Sequence, residues 1–284
     1  MEITITLPAD HSATTIQELL EREWLVPKKV RHFLRTRRNV WVNAQPAPFH
    51  SEIRGGDTIT LHFEEGDYSH QEIIFGDPQK IHTLYEDDQL VIVNKPAGLK
   101  THPNNAKETG TLLNDLAAYL APKDEKPYVV HRLDQETSGA ILFAKNPFIL
   151  PILSQLVEQK KIYRRYQAIV WGKLTKDITI TKKIGRDRHN RRKQVIDERN
   201  GKTATTRVTV AKNLPTQTQI YCVLATGRTH QIRVHLESLG HPIVGDPLYQ
   251  SRPAQRMMLH AIELHLTHPF TQETIIARAT PGLW

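Results

Sequence analysis

The chain has 284 residues, 39% of them hydrophobic, and carries 38 Lys and Arg against 30 Asp and Glu, a formal charge of +8. That length can bury one large core and a smaller one, the cationic surplus favours a polyanionic partner, and a single cysteine, Cys222, excludes an internal disulfide, a thiol metal cluster and a two-cysteine redox motif. No run reaches the roughly 18 consecutive apolar residues of a membrane span, and the opening Met1-Glu2-Ile3-Thr4-Ile5-Thr6 lacks the basic-then-apolar layout of a signal peptide, so a cytoplasmic, membrane-free chain is expected.

The first elements are short. Residues 14–20 read as a helix burying Ile16, Leu19 and Leu20, and past Pro27 a second helix buries Val30, Phe33 and Leu34. The second helix and its exit hold Lys28, Lys29, Arg31, Arg35, Arg37 and Arg38. The strand Asn39-Val40-Trp41-Val42-Asn43 and, after the turn Gly55-Gly56, the alternating strand Asp57-Thr58-Ile59-Thr60-Leu61-His62-Phe63 complete the unit. A Lys- and Arg-studded amphipathic helix is ordinarily a solvated face, so its charge alone does not decide for a nucleic acid. This order of elements resembles the small RNA-binding domain named after ribosomal protein S-four. Asn39 and Ala44 stand where that pattern has glycine. The resemblance implies that Lys28, Lys29, Arg31, Arg35 and Arg38 face RNA phosphates. We expect this domain to occupy residues 1–64, a polar linker residues 65–78, and a large domain residues 79–284.

The large domain opens with the strand Leu90-Val91-Ile92-Val93 and the loop Asn94-Lys95-Pro96-Ala97-Gly98, where Lys95 could reach a phosphate or simply be solvated. Leu112, Leu113, Leu116, Ala117 and Leu120 give a core helix stopped by Pro122. The next stretch is His131-Arg132-Leu133-Asp134-Gln135-Glu136-Thr137-Ser138-Gly139, a charged turn between the apolar runs Tyr128-Val129-Val130 and Ala140-Ile141-Leu142-Phe143-Ala144. A lone loop aspartate usually caps a turn or pairs with a neighbouring arginine; here Asp134 would stand at the rim of a rigid sheet, with Gly139 permitting a close approach. Asn146-Pro147 starts a helix with Ile149, Leu150, Leu153, Leu156 and Val157 as its buried stripe. The strand 162–171 places Tyr166 and Ala168 on one face.

The densest cationic stretch follows: Lys182, Lys183, Arg186, Arg188, Arg191, Arg192 and Lys193. Like charges at that density repel unless a polyanion neutralises them, and backbone phosphates are the natural candidates. The segment Ala225-Thr226-Gly227-Arg228-Thr229-His230-Gln231-Ile232-Arg233-Val234-His235-Leu236-Glu237-Ser238-Leu239-Gly240 reads as a helix with Thr229 as N-cap, Ile232, Leu236 and Leu239 buried, and Gly240 just past its end. Arg233 lies one residue off that stripe, where its planar fork could meet a carboxylate. The 15 histidines show no zincin spacing, and the phosphate-loop, dinucleotide and serine-hydrolase glycine motifs are missing, so no metal and no cofactor are expected.

Several of these blocks together resemble the RluA-type pseudouridine synthases. They are His131 to Gly139 (H-R-L-D-x-x-T-S-G), the loop around Lys95, Tyr166 with Ala168, the run 227–246 ending Gly240-His241-Pro242-Ile243-Val244-Gly245-Asp246, and Leu259-His260-Ala261. The resemblance implies an α+β fold with a mixed, largely antiparallel sheet and a central cleft. It implies an enzyme that isomerises uridine in RNA, with Asp134 as catalytic carboxylate, Arg233 as its partner and Tyr166 against the uracil. Arg132, Lys95, Lys182, Lys183, Arg186, Arg188, Arg191 and Arg192 are then expected to bind RNA. Large-subunit rRNA is the first expectation for the substrate, with tRNA as the alternative, and the chain is expected to act as a monomer; the rival reading is a binding or ribosome-assembly protein that keeps the fold without the chemistry.

Overall fold

The computed structural model describes residues 1–68, 72–249, 252 and 254–282, so residues 69–71 of the expected linker and residues 250, 251, 253, 283 and 284 of the expected large domain lie outside it. The organising strand is Ser138–Ala144, every residue of which is buried. It pairs antiparallel with Leu90–Lys95 from Gly139 opposite Lys95 to Ala144 opposite Leu90. Successive side chains of a strand point to opposite faces. Ala140, Leu142 and Ala144 therefore enter one hydrophobic core with Leu90 and Ile92, while Ile141 and Phe143 enter a second with Val91 and Val93. A strand with a core on each side must be apolar throughout, and this is why the run 140–144 does not alternate.

Among the described residues, this strand and ten others form one sheet. Its pairings are antiparallel except where Ser138 and Gly139 run parallel to His260 and Ala261 of the strand Leu259–Thr267. The helix Ile149–Glu158, capped by Asn146 Oδ1 accepting from Ile149 N at 3.0 Å, packs in the first core; Leu112–Leu120 and Gln231–Glu237 contribute to the second. The architecture is the expected α+β arrangement with a mixed, largely antiparallel sheet. Gly139 makes the parallel junction possible. Its φ is +114°, and a Cβ there would lie 2.3 Å from the carbonyl oxygen of Ala261.

A separate four-stranded sheet, in the order Glu2–Thr6, Thr58–His62, Val40–Val42, Gln45–Pro46, is built from the first 62 residues. The strand Glu2–Thr6 is absent from the sequence reading, although its alternation of exposed residues with buried Ile3 and Ile5 carries the period-2 signal. The first helix is broken into Ile16–Glu18 and a π-helical turn Leu19–Glu23; the basic helix spans Lys28–Thr36 and buries Val30 and Leu34. This sheet and its helices share the first core of the large sheet. The Trp24 ring lies 4.8 Å from that of Phe270, Phe63 lies 5.3 Å from Phe148, and Gln155 Nε2 donates to Leu25 O at 3.1 Å. Aromatic packing fixes the two sheets against each other.

Candidate active site

The loop 131–137 is held by residues distant in sequence. Thr101 Oγ1 donates to Leu133 O at 2.8 Å, Gly98 N donates to Gln135 O at 2.9 Å, and Gln135 Nε2 donates to Gly98 O at 3.0 Å. The ammonium of Lys95 adds bonds to Gln135 O at 3.0 Å and Pro96 O at 2.9 Å. Here the structure overturns an expectation. Lys95 has no exposed surface, so it cannot contact an RNA phosphate; burial pushes its pKa down to about 7 against the pull of Asp134 and Glu136. Its place is under the loop, tying Asn94-Lys95-Pro96-Ala97-Gly98 to the residue after Asp134.

His131 and His260 are structural. His131 Nε2 accepts from Leu142 N at 3.2 Å, which leaves the neutral ring its proton on Nδ1, and burial pushes its pKa down to about 3. His260 Nε2 donates to Ala279 O at 3.0 Å while Nδ1 meets the hydroxyl of Ser138 at 2.7 Å, joining the two parallel strands at the base of the loop. Burial pushes His260 down to about 4.

Arg233 comes from the other side of the cleft. Its fork closes on a different carboxylate and only touches Asp134. Nε and Nη2 clamp Asp246 at 2.7 and 2.8 Å, and Nη1 alone reaches Asp134 Oδ2 at 3.1 Å. Asp246 also accepts from the amides of Leu248 and Tyr249 at 2.9 and 3.3 Å, so it is fixed before it fixes the arginine. Burial opposes the charge of Arg233, but the hydrogen bonds and charges of Asp246 and Asp134 outweigh it and hold the guanidinium above its usual range. Asp134 keeps 18% of its side chain exposed and receives one charge-assisted bond, leaving the rest of the carboxylate free for a substrate.

The helix bearing Arg233 starts later than expected. Thr229 is not its N-cap; the helix is Gln231–Glu237, with His230 at the cap position in a left-handed conformation, φ +55°. Gln231, the first residue of the helix, reaches back to the loop before it. Its Oε1 accepts from Arg228 N at 3.0 Å and from Thr226 Oγ1 at 2.7 Å, stiffening the loop before the helix.

Tyr166 lies on Tyr163–Trp171, opposite Cys222 on one neighbouring strand and Ala261 on the other. Cys222 is a core residue, with burial pushing its thiol up to about 12. Tyr166 itself is 5% exposed, and burial raises its phenol pKa so that it stays a neutral hydroxyl. It lines a cavity of about 790 Å³ together with Asp134, the apolar Val129, Leu133, Ile232 and Leu259, and the guanidinium groups of Arg132, Arg164 and Arg228. A second cleft of about 780 Å³ is lined by Lys100, Arg186, Arg191 and Arg192. Arg132, Asp134, His230 and Arg233 border both. Asp134 therefore stands between an apolar-floored pocket and a cationic one.

The remaining cationic candidates divide. Arg186, Arg188, Arg191 and Arg192 are exposed on or beside the hairpin between Ile178–Arg186 and Gln194–Ile196. Lys182 donates to Ser238 Oγ at 3.1 Å, and Lys183, one residue on, faces the other side of the strand. On the first module Lys28, Lys29, Arg35 and Arg38 are exposed. Arg31 is not free: Nη1 pairs with Glu21 at 2.6 Å and Nε donates to Val26 O at 3.0 Å, which assigns it to holding the helix in place. Asp246, Tyr249, Arg164, Arg228 and His230 reach the site without having been assigned a role from sequence. Asp246 closes a run already quoted, but an isolated Tyr249 gives no local signal.

Residues 89–238 match the family model for RNA pseudouridylate synthase, and residues 3–59 match that for the RluD ribosomal pseudouridine synthase N-terminal domain. The chain is 44% identical over 235 residues to the uncharacterized RNA pseudouridine synthase YhcT of Bacillus subtilis, covering 80% of this chain and 76% of that one. It is 36% identical over 292 residues to ribosomal large subunit pseudouridine synthase D of Nitrosomonas europaea, covering 96% and 83%. Among solved structures, human RNA pseudouridylate synthase domain containing 1 superposes with a TM-score of 0.61 at 27% identity, covering 72% of this chain and 85% of that one. With a family model spanning more than half its length and relatives matched nearly end to end, the chain belongs to the RNA pseudouridylate synthase family and is an isomerase.

Proposed function

We propose that this enzyme converts one or more uridines of large-subunit rRNA to pseudouridine, with Asp134 as the catalytic carboxylate. The observation that carries the reading is the meeting of Asp134, Tyr166 and Arg233, from three distant segments, at one cavity. A uracil stacked in RNA is out of reach, so it is flipped out at a cost of a few kcal/mol, and the apolar floor with the Tyr166 ring compensates by packing against the base. Asp134, held in place by Arg233, then acts at the sugar or the base as the bond from N1 to C1′ breaks. The uracil turns within the pocket, C5 bonds to C1′, C5 gives up its proton and N1 gains one. Atoms and electrons are conserved between uridine and pseudouridine, and the isomerisation consumes no oxidant and no water.

The cationic cleft beside Asp134 supports RNA as the substrate, since Arg132, Arg186, Arg191 and Arg192 line it and can follow a phosphate backbone. The choice of large-subunit rRNA rests on the similarity to relatives named for that substrate and on the basic helix of the first module. Pseudouridines are to be mapped in rRNA and tRNA from cells lacking the gene, and from cells complemented with wild type or Asp134→Asn. Loss of specific large-subunit sites, restored by wild type alone, is the expected result. Loss confined to tRNA would overturn the substrate, and restoration by Asp134→Asn would overturn the role of the carboxylate.

A further inference from the structure

Tyr249 lines neither cleft and is 3% exposed, yet the neighbours of Asp134 converge on it. Its ring lies 5.0 Å from the guanidinium carbon of Arg233 and its amide donates to Asp246. A phenylalanine would fill that volume as well; the hydroxyl is what needs a reason. It lies 2.9 Å from Nδ1 of His230, accepts from Gln194 N at 3.0 Å and donates to Gln194 O at 3.2 Å. Gln194 opens the second strand of the basic hairpin, directly after the turn carrying Arg188, Arg191 and Arg192.

The phenol has one proton, and all three contacts are satisfied together only when that proton goes to Gln194 O. The hydroxyl oxygen then accepts from Gln194 N–H and from His230 Nδ1–H. His230 is thereby held as the Nδ1–H tautomer, with a bare Nε2 standing 3.7 Å from Oδ2 of Asp134. In that state it gives the carboxylate no hydrogen bond, and the oxygen held by Arg233 has no competing donor from the ring. The opposite tautomer would place an N–H against that same oxygen. The charged groups facing His230 are Asp134, Arg233, Asp246 and Arg132. Its left-handed backbone is an unfavourable one for a residue with a Cβ and persists where the surroundings over-determine it.

Resting on the reading of Asp134 as the catalytic carboxylate, we propose that Tyr249 is a positioning residue that couples the basic hairpin to Asp134 by fixing the tautomer and ring of His230 from an anchor on Gln194. RNA held by the hairpin arginines steadies that anchor, so engagement of the backbone and preparation of the carboxylate become one event. The test is single-turnover conversion of a large-subunit rRNA transcript by the full chain. Tyr249→Phe should slow the rate at saturating RNA about tenfold while RNA affinity changes less than about twofold. Nitrogen-15 spectra of His230 should move from the Nδ1–H to the Nε2–H tautomer, a readout that loss of packing alone would not shift. His230→Asn, which tolerates the left-handed backbone, should lose a similar factor, and the double variant should be no slower than the worse single one. Wild-type rates for Tyr249→Phe, an unmoved tautomer, or multiplying losses in the double variant would each overturn the coupling. Asp134→Asn is run beside them: if it is inactive while Tyr249→Phe is normal, only the coupling fails, whereas an active Asp134→Asn overturns the reading beneath it.

Discussion

The loop around Asp134 and the basic hairpin face each other across one cleft, and they are held in opposite ways. The loop is tied down by residues distant in sequence, Thr101, Gly98 and Lys95 below it and Arg233 across from it, in addition to its own turn from Thr137 N to Asp134 O. The hairpin turn is stabilised locally, with Asp187 Oδ1 accepting from His189 and Asn190 amides at 2.7 and 3.0 Å, and Asn190 Oδ1 accepting from Arg192 N at 3.0 Å. The difference follows from what each must do. A carboxylate that acts on one bond needs a fixed position, which many non-local contacts supply; cations that follow a flexible polyanion need exposure and reach.

The sharpest way to break the contrast is at the chemistry itself: Asp134→Asn should cut turnover roughly a thousandfold or more with the fold intact, read by single-turnover assay and thermal melting. Next is the junction beneath the loop. Gly139→Ala puts a methyl 2.3 Å from Ala261 O at a positive φ, and should cost about 3 kcal/mol or more of stability in urea unfolding, taking activity down with it. A third test uses acid. The unfolded chain protonates His131 and His260 below about 6.5, while the folded chain keeps them neutral to about 3 and about 4. The unfolded state then binds more protons, so stability falls as pH drops from 6.5 towards 4.5, by about 1.4 kcal/mol per pH unit for each histidine. His131→Gln should start less stable at pH 7 and lose its share of that slope.

The hairpin should respond in RNA binding and leave stability alone. Arg191→Gln with Arg192→Gln should keep unfolding within about 0.5 kcal/mol of wild type but lower the salt dependence of RNA affinity, by about 0.7 in log–log slope for each phosphate no longer neutralised. The smallest effect is expected from Lys28→Gln, Lys29→Gln, Arg35→Gln and Arg38→Gln, whose helix borders neither cleft; filter binding at several salt concentrations measures it. Substitution is preferable to removing residues 1–64, because deletion would strip Trp24 and Phe63 from Phe270 and Phe148 and expose shared core.

Local pattern made much of this legible in the sequence. The apolar run 140–144 marked a strand with a core on each side, Asn146-Pro147 marked a helix start, alternation around Tyr166 set its buried face, and the nine residues 131–139 marked the loop. Cationic density marked the hairpin. What remained hidden depended on partners: Lys95 reads as a loop lysine until the chain folds over it, Arg31 as a surface cation until Glu21 meets it, and Thr229 as a cap until left-handed His230 takes that position.

By itself, then, the sequence determined elements such as the doubly buried strand 138–144 and the helix that Asn146 opens, because period and turn chemistry act over a few residues. Only the tertiary structure decided that the fork of Arg233 closes on Asp246 and spares one nitrogen for Asp134, and that Tyr249 stands behind His230. Those choices turn on distances of a few ångströms between residues up to 99 positions apart, and no local rule reaches that far.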